Sequence, residues 1–361
     1  MFTKHLTLTL ALALGLPLFS ACAPTEAQPV AVSQTRQKSG NMYVPRNSAQ
    51  AYGLKINGET LRGIFYSTTP PRGTAASPTG WWLRSSSTDY YAPITSITYG
   101  GESVADLSTV QGWLQVTTPS SESVTTLDTG TALYLTIGAP MNKLLRITHD
   151  SSEGTYGKYT AEWSESTGGG WNPACPHPYL NGDGVTTNLT EHMIPVGNAL
   201  WHLNGSKTTP SQTIQLSCTH DSIGGCVTWG YHPWDGSLAS AHQACTRMKR
   251  GDFCGTGDPA TTINASEFEH TLIQIWDGLG IHDSMGQTPS TMEAYWDERG
   301  ATCFNRSEYR SDNGIAQQRM VTTIQNNCPM IQSCDKGSSG ILASSRPCTS
   351  YNDEGTECLD N

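Results

Sequence analysis

Cysteine placement constrains the fold of this chain more than any other feature of its sequence. The chain has 361 residues and 11 cysteines, and every cysteine except Cys22 lies at or beyond Cys175. None of the later cysteines shows the two-residue spacing that is common to zinc ribbons and thioredoxin-like redox sites. We therefore expect disulfides, although the spacing alone leaves their pairing open. The candidates are Cys175, Cys218, Cys226, Cys245, Cys254, Cys303, Cys328, Cys334, Cys348 and Cys358.

The amino terminus has the pattern of an export signal. Lys4 precedes the apolar run Leu6–Leu18, and the small residues of Phe19–Cys22 follow it. The apolar run is too short to span a bilayer as a helix, so the segment is typical of a cleaved secretory signal. Two cleavage sites compete. Ala21–Ala23 suits ordinary signal peptidase, whereas Ser20–Cys22 resembles the lipobox of bacterial lipoproteins.

Cysteine parity favours the second cleavage site. Eleven cysteines cannot all pair, whereas a lipid-modified Cys22 would leave an even number able to pair completely. Residues 23–41 are rich in Pro, Gln, Ser and Ala and show no apolar periodicity. We therefore predict a signal peptide over residues 1–21 and a lipid-anchored flexible tether over residues 22–41.

The overall charge restricts the classes of partner. Lys and Arg number 21 against 31 Asp and Glu, which gives a formal net charge of −10. Phosphate backbones are bound by basic surfaces, so we expect no nucleic-acid partner. The chain also has 10 Trp and 14 Tyr, and only 14% of its residues are charged, a composition that argues against intrinsic disorder.

Residues 42–167 alternate between apolar and polar positions in short runs separated by turn residues. Leu54–Ile56 and Thr60–Arg62 flank Asn57-Gly58, a dipeptide typical of tight β-hairpins. We predict an antiparallel β-sandwich or a partly closed barrel here, which ends at the glycines of residues 168–170. Further strands are expected at Trp81–Arg84, Ile94–Tyr99, Trp113–Thr117, Leu133–Ile137, Leu144–Thr148 and Lys158–Trp163.

Residues 168–361 contain the cysteine-rich part and mix element types, so the expected fold class is mostly β with a C-terminal α+β part. Helices are predicted over Ser237–Arg250 and Ile315–Gln325, where apolar residues follow a helical period. From Cys328 onward we expect loops held by disulfides. Strands are predicted at Ile214–Cys218, Cys226–Tyr231, Thr271–Trp276 and Met292–Trp296.

Three motifs resemble the ADYC-domain family, which is named for an Ala-Asp-Tyr-Cys motif. The run His242–Gly255 (HQACTRMKRGDFCG) looks like the family signature, Cys226–Trp234 is similar to its Cys-x-x-Trp-Gly-Tyr-x-Pro-Trp stretch, and Trp296–Cys303 resembles its Trp…Gly-Ala-x-Cys segment. Gly251 and Phe253 replace the Ala and Tyr of the motif, which puts in doubt any role for that hydroxyl as a proton donor. The resemblance covers residues 165–310 and implies an exported bacterial protein, often a lipoprotein, without an assigned activity.

Candidate catalytic residues compete with structural interpretations. His242 and Cys245 lie three residues apart on a predicted helix, and an imidazole-activated thiolate, with Asp252 nearby in sequence, would be a nucleophile. A disulfide at Cys245 is the simpler expectation for an exported chain. Asp128 heads an Asp-Thr-Gly triplet, as in aspartic proteases, but the second carboxylate would have to come from a homodimer, and a turn before a strand explains the triplet more simply.

Aromatic residues supply candidate binding positions. Trp229, Tyr231 and Trp234 are candidates for stacking on a glycan or a protein partner, and the alternative is that they fill a small core or cover disulfides. We expect no metal and no cofactor, since no tight ligand pair or cofactor motif is present.

Together these features predict an exported cell-envelope lipoprotein with a non-catalytic binding or structural module stabilised by disulfides. The expected location is the outer membrane or cell surface, through a lipid on Cys22, or the medium if Cys22 is not lipidated. A glycan or an envelope protein is the expected partner. The alternative is a secreted hydrolase that uses His242, Cys245, Asp252 or Asp128.

Overall fold

A computed structural model of the chain describes most residues between 42 and 345. The predicted signal peptide and tether, including Cys22, lie outside the described residues, as do Cys348 and Cys358. The described ranges are 42–43, 53–57, 59–69, 71, 80–85, 91–121, 123–153, 155–165, 169–180, 186–190, 192–202, 204–219, 221–258, 272–284, 292–308, 314–335 and 338–345.

Strands account for most of the regular structure in these ranges. The first twelve are β1 (Met42–Tyr43), β2 (Leu54–Ile56), β3 (Glu59–Ser67), β4 (Gly80–Ser85), β5 (Tyr91–Tyr99), β6 (Glu102–Ser103), β7 (Asp106–Val110), β8 (Trp113–Thr117), β9 (Thr125–Thr126), β10 (Ala132–Ile137), β11 (Lys143–Glu153) and β12 (Tyr156–Glu165). The next seven are β13 (Asn172–Pro173), β14 (Pro176–Leu180), β15 (Thr186–Thr190), β16 (Met193–Gly197), β17 (Leu200–Trp201), β18 (Lys207–Thr208) and β19 (Thr213–Cys218).

Helices enter only after β19 in the described residues. The remaining elements are α1 (Ser222–Thr228), α2 (Ala239–Arg250), β20 (Leu272–Asp277), β21 (Asp283–Ser284), β22 (Met292–Asp297), β23 (Gly300–Phe304), a 3₁₀ turn (Arg306–Glu308), α3 (Gly314–Asn327) and β24 (Leu342–Ser345). In this part of the chain no helix is both long and apolar enough to cross a membrane.

Eight antiparallel strands close into a barrel. Their order is β10-β11-β12-β16-β19-β3-β4-β5, and β5 pairs back to β10 with Leu135 opposite Ile97, so that the sheet has no open edge. The mostly β prediction and its barrel alternative are therefore confirmed. Closure of this kind removes unpaired strand edges, which otherwise recruit other chains.

Alternation of side chains along the strands explains the barrel interior. In β10 the side chains of Leu133, Leu135 and Ile137 are buried, whereas Tyr134 between them is 39% exposed. Leu145 and Ile147 of β11 belong to the same core. A period of two residues places every second side chain inside, and here the inward positions are Leu and Ile.

The predicted hairpin at the start of the barrel is confirmed. Strands β2 and β3 pair with Ile56 opposite Glu59, and Asn57 in the turn has φ of 49°. Asn tolerates this left-handed conformation better than most residues, which is why Asn-Gly marks such turns. Gly58 lies outside the described residues.

The barrel continues past the glycines at residues 168–170. Strands β16 and β19 follow this point in the chain and complete the barrel between β12 and β3. The disulfide between Cys175 and Cys218 lies in the same core. The barrel sheet therefore crosses the boundary expected after residue 167.

A second antiparallel sheet has the order β1-β20-β24-β22-β23, with β21 parallel to β20. Helix α2 packs on one face of it through Ala241, Ala244 and Met248, which share a core with Trp296. The predicted strands within β19, β20 and β22 and the helices α2 and α3 are confirmed. The expectation of loops from Cys328 onward is wrong at β24, which pairs with both β20 and β22.

The prediction of a strand over Cys226–Tyr231 is also wrong, because helix α1 covers Ser222–Thr228. The Asp221 side chain caps this helix by accepting the Ile223 and Gly224 N–H groups, each at 2.9 Å. A Cβ at Gly224 would lie 2.4 Å from the Cys218 carbonyl oxygen, so the close approach of this helix to β19 requires glycine. Capping and tertiary packing thus override the strand preference of Val and Thr.

Four disulfides lie in the described part of the chain, and the disulfide-rich character is confirmed. They join Cys175 to Cys218, Cys226 to Cys245, Cys254 to Cys328 and Cys303 to Cys334. The first lies in the barrel core, and the other three belong to the part that contains the helices and the second sheet.

Candidate functional site

Helix α2 carries two of the candidate catalytic residues, Cys245 and His242, and both contact helix α1. Cys245 forms a disulfide with Cys226 of α1, and both cysteines are fully buried. A sulfur in a disulfide provides no thiolate, so the thiolate–imidazole pair of Cys245 and His242 does not exist in this structure. The disulfide instead fixes α1 against α2.

His242 connects the same two helices through its ring. It is fully buried, and its Nε2 lies 3.1 Å from the Ile223 carbonyl oxygen of α1. Burial lowers the pKa of His242 to about 3, and the positive charge of Lys207 acts in the same direction. The ring is therefore neutral near pH 7, and its Nε2–H donates to that carbonyl. The neighbouring Trp201 ring meets it edge-on at 5.4 Å.

Asp252 anchors the loop that follows α2. Its carboxylate is fully buried, pairs with the Arg247 guanidinium and accepts the Gly257 N–H at 3.0 Å. Burial raises the pKa of this carboxyl, and the charge of Arg247 opposes that increase. These contacts satisfy the buried Asp252 carboxylate and indicate a structural role for it.

Asp128 lies on the barrel, in the turn that leads into β10. It is exposed, and its backbone N–H donates to the Tyr99 hydroxyl at 2.7 Å. The Thr131 N–H donates to the Asp128 carbonyl oxygen at 3.2 Å, which closes a turn. This geometry corresponds to the turn interpretation of the Asp-Thr-Gly triplet.

The three aromatic candidates do not share one exposed surface. Tyr231 is fully buried, and its hydroxyl donates to Asp277 at 2.8 Å. Trp229 is half-buried with the Lys249 ammonium 4.5 Å from its ring centroid, and Trp234 is half-buried and stacks on a histidine. Tyr231 is therefore part of the core, because its hydroxyl has a buried partner.

A groove of about 350 Å³ runs beside α2, among the motif residues. That volume is within the usual range of small-molecule sites, about 300–1,000 Å³. The helix forms one wall, the β17–β18 hairpin another, and the β22–β23 turn the third. Its main polar lining residues are Ser206, Lys207, Ser240, Gln243, Arg247, Glu298 and Arg299.

Gln243 ties α2 to the hairpin wall. Its side-chain oxygen accepts the Trp201 Nε1–H at 2.9 Å, and its amide nitrogen donates to the Gly205 carbonyl at 2.8 Å. Gly205 has φ of +70°, and a Cβ there would lie 2.1 Å from Nη1 of Arg247. The hairpin therefore needs glycine at this position to approach the helix.

Arg247 ties α2 to both other walls. It donates to the Asn204 carbonyl at 2.8 Å and to the Glu298 carbonyl at 3.2 Å, and it pairs with Asp252. Its side chain is 5% exposed, so its charge is largely neutralised within the protein. Hydrogen bonds from one planar guanidinium thus hold the hairpin, the turn and the post-helix loop in fixed positions.

The rim of the groove carries charges of both signs. Among the described residues, neither the Lys207 ammonium nor the Arg299 guanidinium forms an ion pair or a side-chain hydrogen bond, and the Lys207 ammonium lies over the Trp201 ring, 5.4 Å from its centroid. Burial lowers the pKa of Lys207, and the Glu298 carboxylate opposes that decrease. The first turn of α2 contains no acidic residue, and its N-cap, Leu238, makes no side-chain hydrogen bond. The partial positive charge of that helix end adds to the two cations.

Sequence reasoning did not select the residues of this groove. Gln243 and Arg247 lie within the quoted motif run, so a signal was present, but their roles depend on partners far away in the chain. Lys207 and Arg299 belong to no motif, and only the fold brings them to one groove. The described residues contain no group of three His, Cys, Asp or Glu side chains able to hold a metal ion.

The closed β-barrel, the disulfide-bonded α+β part and the groove beside α2 describe a mostly β, disulfide-rich protein. The model of the ADYC domain family matches residues 124–310, more than half of the chain, and the chain belongs to this family. The match begins just before β9, includes the barrel strands β10, β11, β12, β16 and β19 but not β3 to β5, and extends beyond β23, so the domain includes parts of both sheets. Neither the curated proteins nor the solved structures contain a match to the chain.

Proposed function

We propose that this protein is an exported cell-envelope lipoprotein, anchored through a lipid on Cys22, whose ADYC domain is a non-catalytic binding module. Its location would be the outer membrane or the cell surface. The partner would be a glycan or an envelope protein. Release into the medium is the expected result if Cys22 is not lipidated.

The observation that carries the proposal is the buried disulfide between Cys226 and Cys245. Structural disulfides persist in oxidising compartments outside the cytoplasm, so this bond and the other three support export. The same bond removes the thiolate on which the hydrolase alternative depends most. His242 and Asp252 are both fully buried, which supports structural roles for them.

Binding is favoured over a purely structural role by the groove beside α2. Its floor is fixed by hydrogen bonds from Gln243 and Arg247, whereas the cations on its rim form no ion pair among the described residues. A floor that is held in place before a ligand arrives is typical of preformed ligand sites.

Lipidation can be tested by producing the full chain in a bacterial host that exports lipoproteins. We expect the protein in the membrane fraction, with a diacylglyceryl mass on the peptide that begins at Cys22. The Cys22→Ser variant should appear in the soluble fraction, because a single hydrophilic tether has no affinity for lipid. Recovery of wild-type protein without added lipid mass would contradict the anchor.

Export and the absence of a thiol nucleophile can be tested on the same material. Non-reducing peptide mapping should find the four disulfides and no cysteine that reacts with iodoacetamide before reduction. Labelling at Cys245 would refute the structural assignment and restore the hydrolase alternative.

A further inference from the structure

The cations on the groove rim form a local positive surface on an acidic protein. The chain has a formal net charge of −10, yet the cations Lys207 and Arg299 lie in one groove. The amino-terminal end of α2 also lies in this groove, and its N-cap residue makes no side-chain hydrogen bond. Arg247 is excluded from this count because it is paired with Asp252. Two cations that form no ion pair among the described residues attract an acidic group, and a guanidinium binds a carboxylate or a phosphate through two parallel hydrogen bonds.

The groove is also lined by one acidic side chain, that of Glu298, which affects the kind of ligand that the groove can bind. Glu298 is exposed and influences Lys207 electrostatically. A bare anion would be repelled by this carboxylate, whereas a ligand with hydroxyl groups can donate to it. The groove thus matches a molecule with an acidic group at one end and hydroxyl donors at the other.

The composition of the walls favours a hydrophilic ligand. Ser206 and Ser240 contribute hydroxyls, and Ala239 and Gly255 are the only apolar residues lining the groove within the described chain. A peptide with apolar side chains would find no matching pocket, since such pockets are usually lined by larger hydrophobic groups. A sugar presents hydroxyls to the polar groups of the walls and C–H groups to the carbons of the lining side chains, so it suits a groove of this composition.

We infer that the groove beside α2 binds an acidic saccharide, that is, a sugar that carries a carboxylate or a phosphate group. This inference rests on the proposed function as a binding module and specifies its ligand class. Lys207 and Arg299 hold the acidic group, and Glu298 accepts hydrogen bonds from hydroxyls of the sugar. The floor formed by Gln243 and Arg247 keeps these groups in place before the ligand arrives.

Calorimetric or NMR titration of the whole mature protein tests this assignment. Glucuronate and glucose 6-phosphate are the acidic probes, with glucose, sulfate and triglutamate as comparisons. We expect at least one acidic sugar to bind more tightly than all three comparison molecules, and more weakly as salt is raised. The stronger of the two acidic sugars tells a carboxylate site from a phosphate site.

Single-charge variants locate the binding. Arg299→Gln and Lys207→Gln should each weaken binding of the acidic sugar about tenfold or more, because each removes a charge-assisted contact. Lys158→Gln, which changes the net charge equally on barrel strand β12, should leave the affinity unchanged and serves as the matched control. Thermal melting of each variant verifies that the fold is intact.

Several results would overturn the assignment. Equal binding of glucose, of sulfate or of triglutamate would show a neutral sugar site, a simple anion site or a peptide site instead. No binding of either acidic sugar, or equal losses in Lys158→Gln and Arg299→Gln, would also refute it. None of these results alters the lipid mass on Cys22 or the thiol count, so failure here is separable from failure of the proposed function.

Discussion

The cationic residues near the end of α2 show how strongly context determines the role of a charged residue. Arg247, Lys249 and Arg250 are 4%, 2% and 1% exposed, although a run of this kind is usually a solvated face. Lys249 donates to the Asp221 carbonyl at 2.9 Å, and Arg250 donates to the Gly257 carbonyl. All three lie near the negative end of the helix dipole, which offsets part of the cost of burying them.

Burial of a neutral ring predicts acid sensitivity at His242. Its pKa is about 3 in the folded protein and 6.5 for an ordinary histidine. Because the pKa of His242 is lower in the folded than in the unfolded protein, its contribution to stability is fully present above pH 6.5 and is lost as the pH falls from there toward 3. The free energy of unfolding of wild type minus that of His242→Gln should therefore shrink as the pH is lowered over this range.

Chemical denaturation of both proteins at several pH values measures that difference. Taking the difference matters because Asp221, whose pKa burial raises to about 6, contributes with the opposite sign. Its stabilising contribution is fully present below 3.8 and is lost as the pH rises through 6. A difference between the two proteins that does not vary with pH would contradict the neutral, buried state of His242.

Gly255 is a second residue whose identity is fixed by its surroundings. Its φ is +68°, and a Cβ there would lie 1.6 Å from the Arg299 carbonyl oxygen in the groove wall. Gly255→Ala should lower the free energy of unfolding by at least about 2 kcal/mol, through backbone strain and this clash. Gly236→Ala is the control, because a Cβ at Gly236 has no heavy atom within 4 Å. Equal stability of the two variants would show that the backbone at Gly255 can shift to make room for the added methyl group.

At the scale of elements, local pattern predicted the barrel strands well and the first helix poorly. Strands such as Leu133–Ile137 alternate cleanly and have one buried face, so their own sequence contains the signal. The start of α1 depends on Asp221, which accepts from the Ser217 hydroxyl at 2.5 Å as well as capping the helix. That arrangement exists only when β19 is in place. The two adjacent glycines of α1, Gly224 and Gly225, also lower its helix propensity, so propensity alone does not predict a helix there.

The candidate site illustrates the same division between local and distant information. The motif run that includes Gln243 and Arg247 predicted where the family-specific part of the chain lies. It did not predict a groove, because the other walls come from Lys207 and Arg299, which are separated from α2 in sequence. Distances between such residues depend on how the whole chain folds.

The disulfide between α1 and α2 yields a prediction at this scale. It links Cys226 and Cys245, which are 19 residues apart, and replacing both with Ala removes the link without leaving a free thiol. We expect the free energy of unfolding to fall by about 3 kcal/mol, mainly because the unfolded chain regains conformational freedom. Urea denaturation measures this loss. An unchanged midpoint would mean that the packing of α1 on α2 is sufficient without the bond.

At the scale of the whole molecule, the barrel depends on chain segments on both sides of residue 168. Strands β3 to β5 and β10 to β12 come before it, and β16 and β19 come after it. The second sheet likewise combines β1, at residues 42–43, with strands that begin at residue 272. Each of the two parts predicted from composition therefore contributes strands to a sheet that lies mainly in the other part.

This interlocking predicts how fragments of the chain behave. A fragment of residues 42–167 lacks β16 and β19, which leaves the barrel open between β12 and β3, and it should show no cooperative thermal transition. A fragment of residues 42–219 contains all eight barrel strands and both Cys175 and Cys218, and it should unfold cooperatively. Circular dichroism melts distinguish the two. Cooperative melting of the shorter fragment would refute a barrel that needs the later strands.

The pairing of β3 with β19 makes closure of the barrel depend on distant parts of the chain. Phe65 pairs with Thr213, so the seam joins two strands with nearly 150 residues between them. Until this seam forms, the earlier strands expose unpaired N–H and C=O groups with which other unfolded chains can pair. Closing so large a loop is entropically costly and slow, and the chain is most prone to aggregate before the seam has formed.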